Sequence, residues 1–424
     1  MNTKEIYDLY SQSNGISTDS RKIKKGCIYL ALKGEHFNGN LFAEDAINKG
    51  AFKAIVDETI DTDNSEDFIK VDNALKTLQD LARYHRRLLK TPIIAITGSN
   101  GKTTTKKLCQ SIFSTTFKTF ATKGNLNNHI GVPLSLLQID ASTEIALIEL
   151  GANHQKEIED LCAICEPDYG YVTNFGKDHL EGFGGVQGVI KANSELYAYL
   201  NKVEGKIFVD AQDQLQNQQA EGGDLIFFNT DNDLLKFVSA HPYVKINLEE
   251  NIVTTQLIGD YNFQNIAAAY AMASYFGISN DKILKALAEF TPEDNRSQFV
   301  HTDHNQLVLD AYNANPSSME LAIKNFDRLE ADKKSVILGD MLELGESSYE
   351  EHLITLQQLD KQSIDQAFLV GHAFYEHQFK SEKFHFYKNF EGLKKHLQDQ
   401  PLKDYLILIK GSRGIALERC IDLL

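Results

Sequence analysis

Residues 93–107, IIAITGSNGKTTTKK, constrain the fold more than any other stretch of the chain. IIAIT reads as a buried strand, GSNG as a tight turn and KTTTKK as the opening of a helix. The common phosphate loop has four residues between its glycines, whereas Gly98 and Gly101 are separated only by Ser99 and Asn100. Glycines let a backbone approach phosphate oxygens, and N–H groups at a helix start point at an anion. Lys102 can bring a point charge to the β- and γ-phosphates, and the Thr103 hydroxyl can ligate Mg²⁺, with Thr104 next in line. A plain glycine turn is the bland alternative. G-K-T-T directly behind an apolar strand favours a nucleotide site.

The strand of that unit is one of many. IALIEL (145–150), YGYVTN (169–174) and KIFVD (206–210) follow it, with helical patterns between. The alternation restarts with LVLDA (307–311), SVILGD (335–340), AFLVG (367–371) and YLILIK (405–410). Near-continuous apolar strands alternating with helices indicate parallel sheets covered on both faces. Before them, CIYLAL (27–32), AIV (54–56) and a helix ending in LARYHRRLLK suggest a smaller mixed unit. A chain of 424 residues has room for about three domains at ~150 residues each. The expected division is 1–90, 91–292 and 293–424, in an α/β class. ETIDTDNSED (58–67) reads as an acidic loop, EDNRSQ (293–298) as a polar junction and QLQNQQAEGGD (214–224) as a turn or surface helix.

The formal net charge of −16 argues against nucleic acid as the main partner, since phosphate backbones are bound by basic faces. MNTKEIYDLY lacks the apolar run of a leader, and no stretch approaches the about 18 apolar residues of a membrane span. No membrane insertion and a cytoplasmic location are expected, as is a monomer. Five cysteines without a disulfide framework fit that compartment. Cys162 and Cys165 form a CxxC, but they share a helical pattern with Ile158, Leu161 and Ile164, and core packing is the expectation.

Ligands of open α/β sheets sit beyond the carboxyl ends of the strands. Glu149 ends an apolar strand before a Gly turn, where a lone carboxylate is costly to bury but well placed to hold Mg²⁺. Asp178 and His179 follow another strand in the glycine-rich loop GKDHLEGFGG. Asn262 and Asn265 share a helix face at i and i+3 and could read a base or phosphate, or simply cap the helix. His301 and His304 fall in an expected hairpin turn and are not site candidates.

Together the short G-x-x-G-K-T-T loop, E-L-G-A, HLEGFG and N-x-x-N-A resemble the Mur ligases, ATP-dependent amide-forming ligases of peptidoglycan synthesis. The resemblance runs almost end to end: STDSRKIKKGCIYLALKGEHFNGNLFAEDAINKGA (17–51), KGNLNNHIGVPLSLL (123–137), DAYNANPSSM (310–319), LGDMLELGE (338–346) and IKGSRGIALE (409–418) are also similar. It implies a three-domain architecture: a small N-terminal domain for the UDP substrate, a central ATP-binding domain and a Rossmann-like C-terminal domain. The implied activity joins D-alanyl-D-alanine to UDP-N-acetylmuramoyl-tripeptide through an acyl phosphate, with ATP and Mg²⁺. Lys102 is implied to neutralise the γ-phosphate, Thr103 and Glu149 to hold Mg²⁺, and His179 to hold a second metal ion. Asn262 and Asn265 would contact adenine. Arg296, Asp310, Tyr312, Asn313 and Asn315 would reach ATP from the C-terminal domain, which implies closure over the site. Ser20 and Arg21 would face UDP; Asn125, Asn127, Asn128 and Asn153 would line the muramoyl-peptide path; Lys410, Ser412 and Arg413 would lie near the incoming dipeptide.

The family usually carries a lysine, carbamylated to ligate the second Mg²⁺, fourteen residues after the loop histidine. Asn193 stands there instead. Lys191 lies about 200° around a helix from it and should not substitute. The expectation is that Asn193 holds the second ion weakly or through water, or that Glu195 replaces the carbamate. Competing assignments are another ligase of the superfamily, adding the third residue or extending folates, and a non-catalytic nucleotide-binding regulator.

Overall fold

The computed structural model describes residues 1–60 and 65–424. Part of the acidic stretch 58–67 therefore lies outside the described residues.

The described residues form three larger sheets, with a three-stranded and a two-stranded sheet besides. The first is four-stranded and parallel, in the order Ile16–Ser17, Ile28–Leu30, Lys53–Val56, Phe68–Lys70. The helix Ala74–Leu88 leaves it with an Asn73 N-cap and joins it to the next unit. Arg86, near the end of that helix, is buried and donates to the carbonyls of Thr91, Cys165 and Glu166 and to Asp168. Its five N–H donors suit it to satisfying several loop carbonyls at once.

The central sheet has six strands, ordered Asp224–Phe228, Lys206–Asp210, Tyr169–Val172, Ile93–Thr97, Ile145–Glu149, Thr119–Ala121, all in parallel register. Ile93–Thr97 and Ile145–Glu149 are buried along their whole length, as strands covered on both faces must be. Cys162 and Cys165 are fully buried on the helix Glu157–Cys165; burial pushes the Cys165 thiol up to about 12 and raises the Cys162 thiol well above its ordinary value. Both act as core residues.

One element departs from the α/β alternation. Residues 235–258 form a three-stranded antiparallel sheet, Leu235–Ala240, Tyr243–Leu248 and Asn251–Ile258. Its middle strand alternates strictly, with Val244, Ile246 and Leu248 buried and Tyr243, Lys245 and Asn247 half-buried. That two-residue period marks a strand packed on one face only.

The C-terminal sheet runs Gln298–His301, Gln306–Asp310, Leu406–Lys410, Lys334–Gly339, Gln366–Val370, Phe384–Tyr387. The first pair is an antiparallel hairpin, which places His301 and His304 at its turn, and the rest are parallel. No helix among the described residues is long and apolar enough to cross a membrane.

Candidate active site

The carboxyl ends of the central and C-terminal sheets face one cavity of about 460 Å³. Glu149, Asp310 and Lys410 are each the last residue of a strand and each line it.

The loop 98–101 is shaped by its neighbours. Gly98 has φ +122°, and a Cβ there would lie 2.2 Å from Thr173 Oγ1 and 2.8 Å from Thr173 N. Gly101, φ +83°, packs against the Asn265 side chain, 2.5 Å from where a Cβ would be. Only glycine tolerates both the backbone conformation and the approach. Asn174 clamps the loop in both directions: its Oδ1 accepts from Asn100 N at 3.1 Å and its Nδ2 donates to Asn100 O at 2.9 Å. Ser99 donates to Asp178. Lys102 Nζ donates to the carbonyls of Gly98 and Ser99.

Glu149 is 2% exposed yet lines the cavity. Its Oε1 accepts from Thr103 Oγ1 at 3.2 Å and Asn127 Nδ2 at 2.9 Å. Its Oε2 accepts from Lys106 Nζ at 2.8 Å. Burial by itself would raise the Glu149 carboxyl; the Lys106 ammonium, with Lys102 and Arg296 beyond it, outweighs this and holds it below the ordinary value. Lys106 is a site-building residue that the motifs do not include. The available signal was its spacing: i+4 from Lys102 and i+3 from Thr103 put all three on one helix face.

His179, in a left-handed conformation at φ +45°, touches the carboxylate of Glu343 through Nδ1. Glu343 belongs to the LGDMLELGE stretch and also adopts positive φ. The acid at the start of the same motif does something else: Asp340 accepts from Ala373 N and Phe374 N, both at 2.9 Å, and so caps a short helix.

Asn262 and Asn265 line the cavity and are linked to each other at 2.8 Å; Asn262 Nδ2 also donates to Ile258 O, and Asn265 Oδ1 accepts from Thr105. From the C-terminal unit come Arg296, whose guanidinium lies 3.7 Å from the Tyr312 ring centroid, and Asp310, which pairs with Lys410 at 2.6 Å. Asn313 and Asn315 line the same space, and Asn315 Nδ2 donates to Asn100 Oδ1 at 2.9 Å across the two units. Lys177 Nζ reaches Glu351 at 2.6 Å beside them. Asn125, Asn127, Asn128 and Asn153 complete one wall, with Thr104 at the loop.

Five expected residues do not line this cavity: Gly98, which lies beneath the loop against Thr173, together with Ser20, Arg21, Ser412 and Arg413. Ser20 and Arg21 sit in the first unit, where Arg21 is exposed and bound to Asp19 at 2.9 Å. Ser412 is buried, accepting from Leu342 N and donating to Ala314 O, and the exposed Arg413 pairs with Glu418 at 2.9 Å. The expectations for Asn193 and Glu195 need correction. Asn193 is 4% exposed behind the loop strand, its Oδ1 accepting from Thr97 Oγ1 and its Nδ2 donating to Val189 O, both at 3.1 Å; it is not a lining residue. Both ends of its amide are spent on the core. Glu195 accepts from Lys156 N at 2.7 Å and Glu159 N at 3.0 Å, so it caps the helix Glu157–Cys165 and does not replace a carbamate.

Family models match three successive segments: Mur ligase family, catalytic domain over 12–86; Mur ligase middle domain over 96–273; and Mur ligase, glutamate ligase domain over 295–413. The UDP-N-acetylmuramoyl-tripeptide–D-alanyl-D-alanine ligase of Bacillus subtilis is 33% identical over 421 residues, covering 96% of this chain and 92% of that protein. The enzyme of the same name from Escherichia coli is 32% identical, with 96% and 93% covered. Among solved structures, MurF of Acinetobacter baumannii is 29% identical with a TM-score of 0.85, covering 100% of this chain and 98% of its own. MurF of Thermotoga maritima in complex with ADP is 26% identical, also at 0.85, covering 98% and 97%. With relatives above 30% identity along nearly its whole length, and a cavity that draws on both sheets, the chain belongs to the Mur ligase family.

Proposed function

We propose that this protein uses ATP to join D-alanyl-D-alanine to the peptide carboxylate of UDP-N-acetylmuramoyl-tripeptide, releasing ADP and phosphate. The observation that carries the reading is the single cavity holding the phosphate loop, Glu149 and His179 from one unit and Arg296, Asp310 and Asn315 from the other. A carboxylate is a poor electrophile, so amide formation needs activation; transfer of the γ-phosphoryl group makes an acyl phosphate that an amine can attack. Such transfer depends mainly on positioning and on neutralising charge.

Lys102 sits where its ammonium, exchanging the loop carbonyls for phosphate oxygens, follows the charge that builds on the moving group. Arg296 is a second cation on the far wall; its Nε is buried without a hydrogen-bond partner among the described residues, and so can donate to an anion. Asn262 and Asn265 are assigned to the nucleotide, and Asn125, Asn127, Asn128 and Asn153 to the peptide arm. Ser20 and Arg21, outside the cavity, are assigned to the UDP end of a long substrate. Lys410, paired with Asp310, belongs with the nucleotide-facing wall.

The oxygens of Thr103 and Glu149 fit Mg²⁺, a hard cation that binds through one or two protein oxygens together with phosphate and water. Bound there, it would screen the β- and γ-phosphate charge during transfer. The residues present do not fit a carbamate-type second metal site, because Asn193 is turned into the core.

Phosphate release measured with each substrate alone and with both tests the function. Release is expected only when UDP-N-acetylmuramoyl-tripeptide and D-alanyl-D-alanine are both present. Efficient use of a free diamino acid with the dipeptide nucleotide would overturn the assignment in favour of a ligase acting one residue earlier.

A further inference from the structure

Lys106 has no place in the mechanism above, yet it is 1% exposed and makes a 2.8 Å ion pair with a residue of the active site. It lies one turn beyond Lys102 on the helix Lys102–Phe113 and is not a lining residue, whereas Glu149 is. The two oxygens of Glu149 are thus divided. Oε2 is held from behind by the Lys106 ammonium; Oε1 is shared by Thr103 and Asn127, both of which line the cavity. The backbone of Glu149 is fixed as well, its N–H donating to Thr122 Oγ1 at 3.0 Å.

We propose that Lys106 is a positioning residue that also serves as an internal counter-cation, keeping Glu149 from holding a bare divalent ion. The assignment rests on the reading of the cavity as a nucleotide–metal site. Lys106 turns one carboxylate oxygen out of reach and cancels the charge of the other at short range. Lys102 and Arg296 add positive charge around the same carboxylate, and Asp310 is already paired with Lys410. A free divalent ion therefore meets little net attraction. The negative charge it needs arrives with the triphosphate, so metal and nucleotide enter together. A buried pair kept only for stability would make no such distinction, and apolar residues often replace such pairs without loss.

The test measures Mn²⁺ binding by the paramagnetic resonance of free Mn²⁺, with and without a non-hydrolysable ATP analogue. After subtraction of the Mn²⁺ that the analogue holds in protein-free solution, the natural protein is expected to bind Mn²⁺ about ten-fold or more weakly without the analogue than with it. Lys106→Gln keeps a hydrogen-bond donor to Oε2 but removes the charge; it should tighten analogue-free Mn²⁺ binding by about ten-fold. Lys106→Arg keeps the charge and should leave that affinity as it is. Adding Glu149→Gln to Lys106→Gln should abolish the gain. Unchanged Mn²⁺ affinity in Lys106→Gln overturns the assignment. So does equal Mn²⁺ affinity of the natural protein with and without the analogue, a measurement that needs no variant to fold. Binding of the analogue is titrated separately in Mg²⁺. If it does not bind, the nucleotide reading falls; if it binds while Lys106→Gln changes nothing, only the role of Lys106 falls.

Discussion

Gly98→Ala offers a severe test of the loop geometry, because the structure separates its two costs. The first is conformational: at φ +122° an L-residue is strained, by about 1–2 kcal/mol for typical left-handed positions. The second is steric: the new Cβ would sit 2.2 Å from Thr173 Oγ1, 2.8 Å from Thr173 N and 3.0 Å from Asn174 N. Overpacking of this kind costs about 1–3 kcal/mol. The total is roughly 2–5 kcal/mol, since the two costs act on the same residue. Gly222 is the internal control: its φ is +88° and, among the described residues, nothing lies within 4 Å of the place a Cβ would take, so Gly222→Ala should show only the conformational part. Two of the three close atoms at Gly98 are backbone, so Thr173→Ala should not rescue Gly98→Ala. The loop must shift instead, and Asn100 and Asn174 should lose their paired hydrogen bonds. Urea unfolding gives the stability difference, and ADP titration by calorimetry gives the effect on the loop. A Gly98→Ala protein that matches Gly222→Ala in stability and keeps natural ADP affinity, or one whose stability Thr173→Ala restores, would refute this loop geometry.

Lys102→Ala should fold normally but lose about 100-fold or more of its phosphate release, in line with removal of a group that stabilises developing charge; near-normal release would refute its role. Asn193→Ala should leave the buried Thr97 hydroxyl without its acceptor and cost about 1–3 kcal/mol, read from unfolding midpoints. Since Asn193 offers no amine to carbamylate, the rate of the natural protein should also be indifferent to bicarbonate, and a drop on bicarbonate depletion would contradict this. Burial holds His85 below its ordinary pKa, opposed by the carbonyl of Ile139. The unfolded chain therefore binds a proton there first, and the stability it contributes is complete above about pH 6.5 and is lost as pH falls toward the depressed folded value. The unfolding midpoint of His85→Gln should fall less between pH 7.5 and 5.5 than that of the natural protein, whose steeper fall should come partly from this site; equal falls would discount it.

The parts of this fold that could be read directly are those where local pattern and tertiary role coincide. IIAIT is apolar up to its closing threonine and buried at every position, and the sharp turn from a buried strand into a helix calls for the glycines after it, both at positive φ. The pairing of Cys162 and Cys165 with an apolar helix face likewise points to core packing. Lys106 shows the opposite case. Next to Lys107 it reads as one half of a solvated pair, and indeed Lys107 pairs with Glu293 and Asp294 at partly exposed positions. Only the arrival of Glu149, 43 residues later, makes one of the two lysines internal. Asn193 departs from expectation for a related reason: spacing along a helix says which face a side chain occupies, but its direction is decided by what else on that face offers a hydrogen bond, here Thr97 and Val189. The antiparallel sheet at 235–258 does carry its two-residue period, but this is absorbed into the longer rhythm of alternating strands and helices.

The apolar packing between the two ATP-facing units bears on how the chain can be made and broken. Leu180, Phe183, Val189, Ala192 and Ile258 from the central unit share one buried cluster with Met341, Leu344 and Val308 of the C-terminal unit. A chain interrupted near residue 290, by proteolysis or premature termination, would leave the first set uncovered. During synthesis the same surface stays bare until the last 130 or so residues have emerged. Such a fragment should be sticky and short-lived, prone to self-association or degradation.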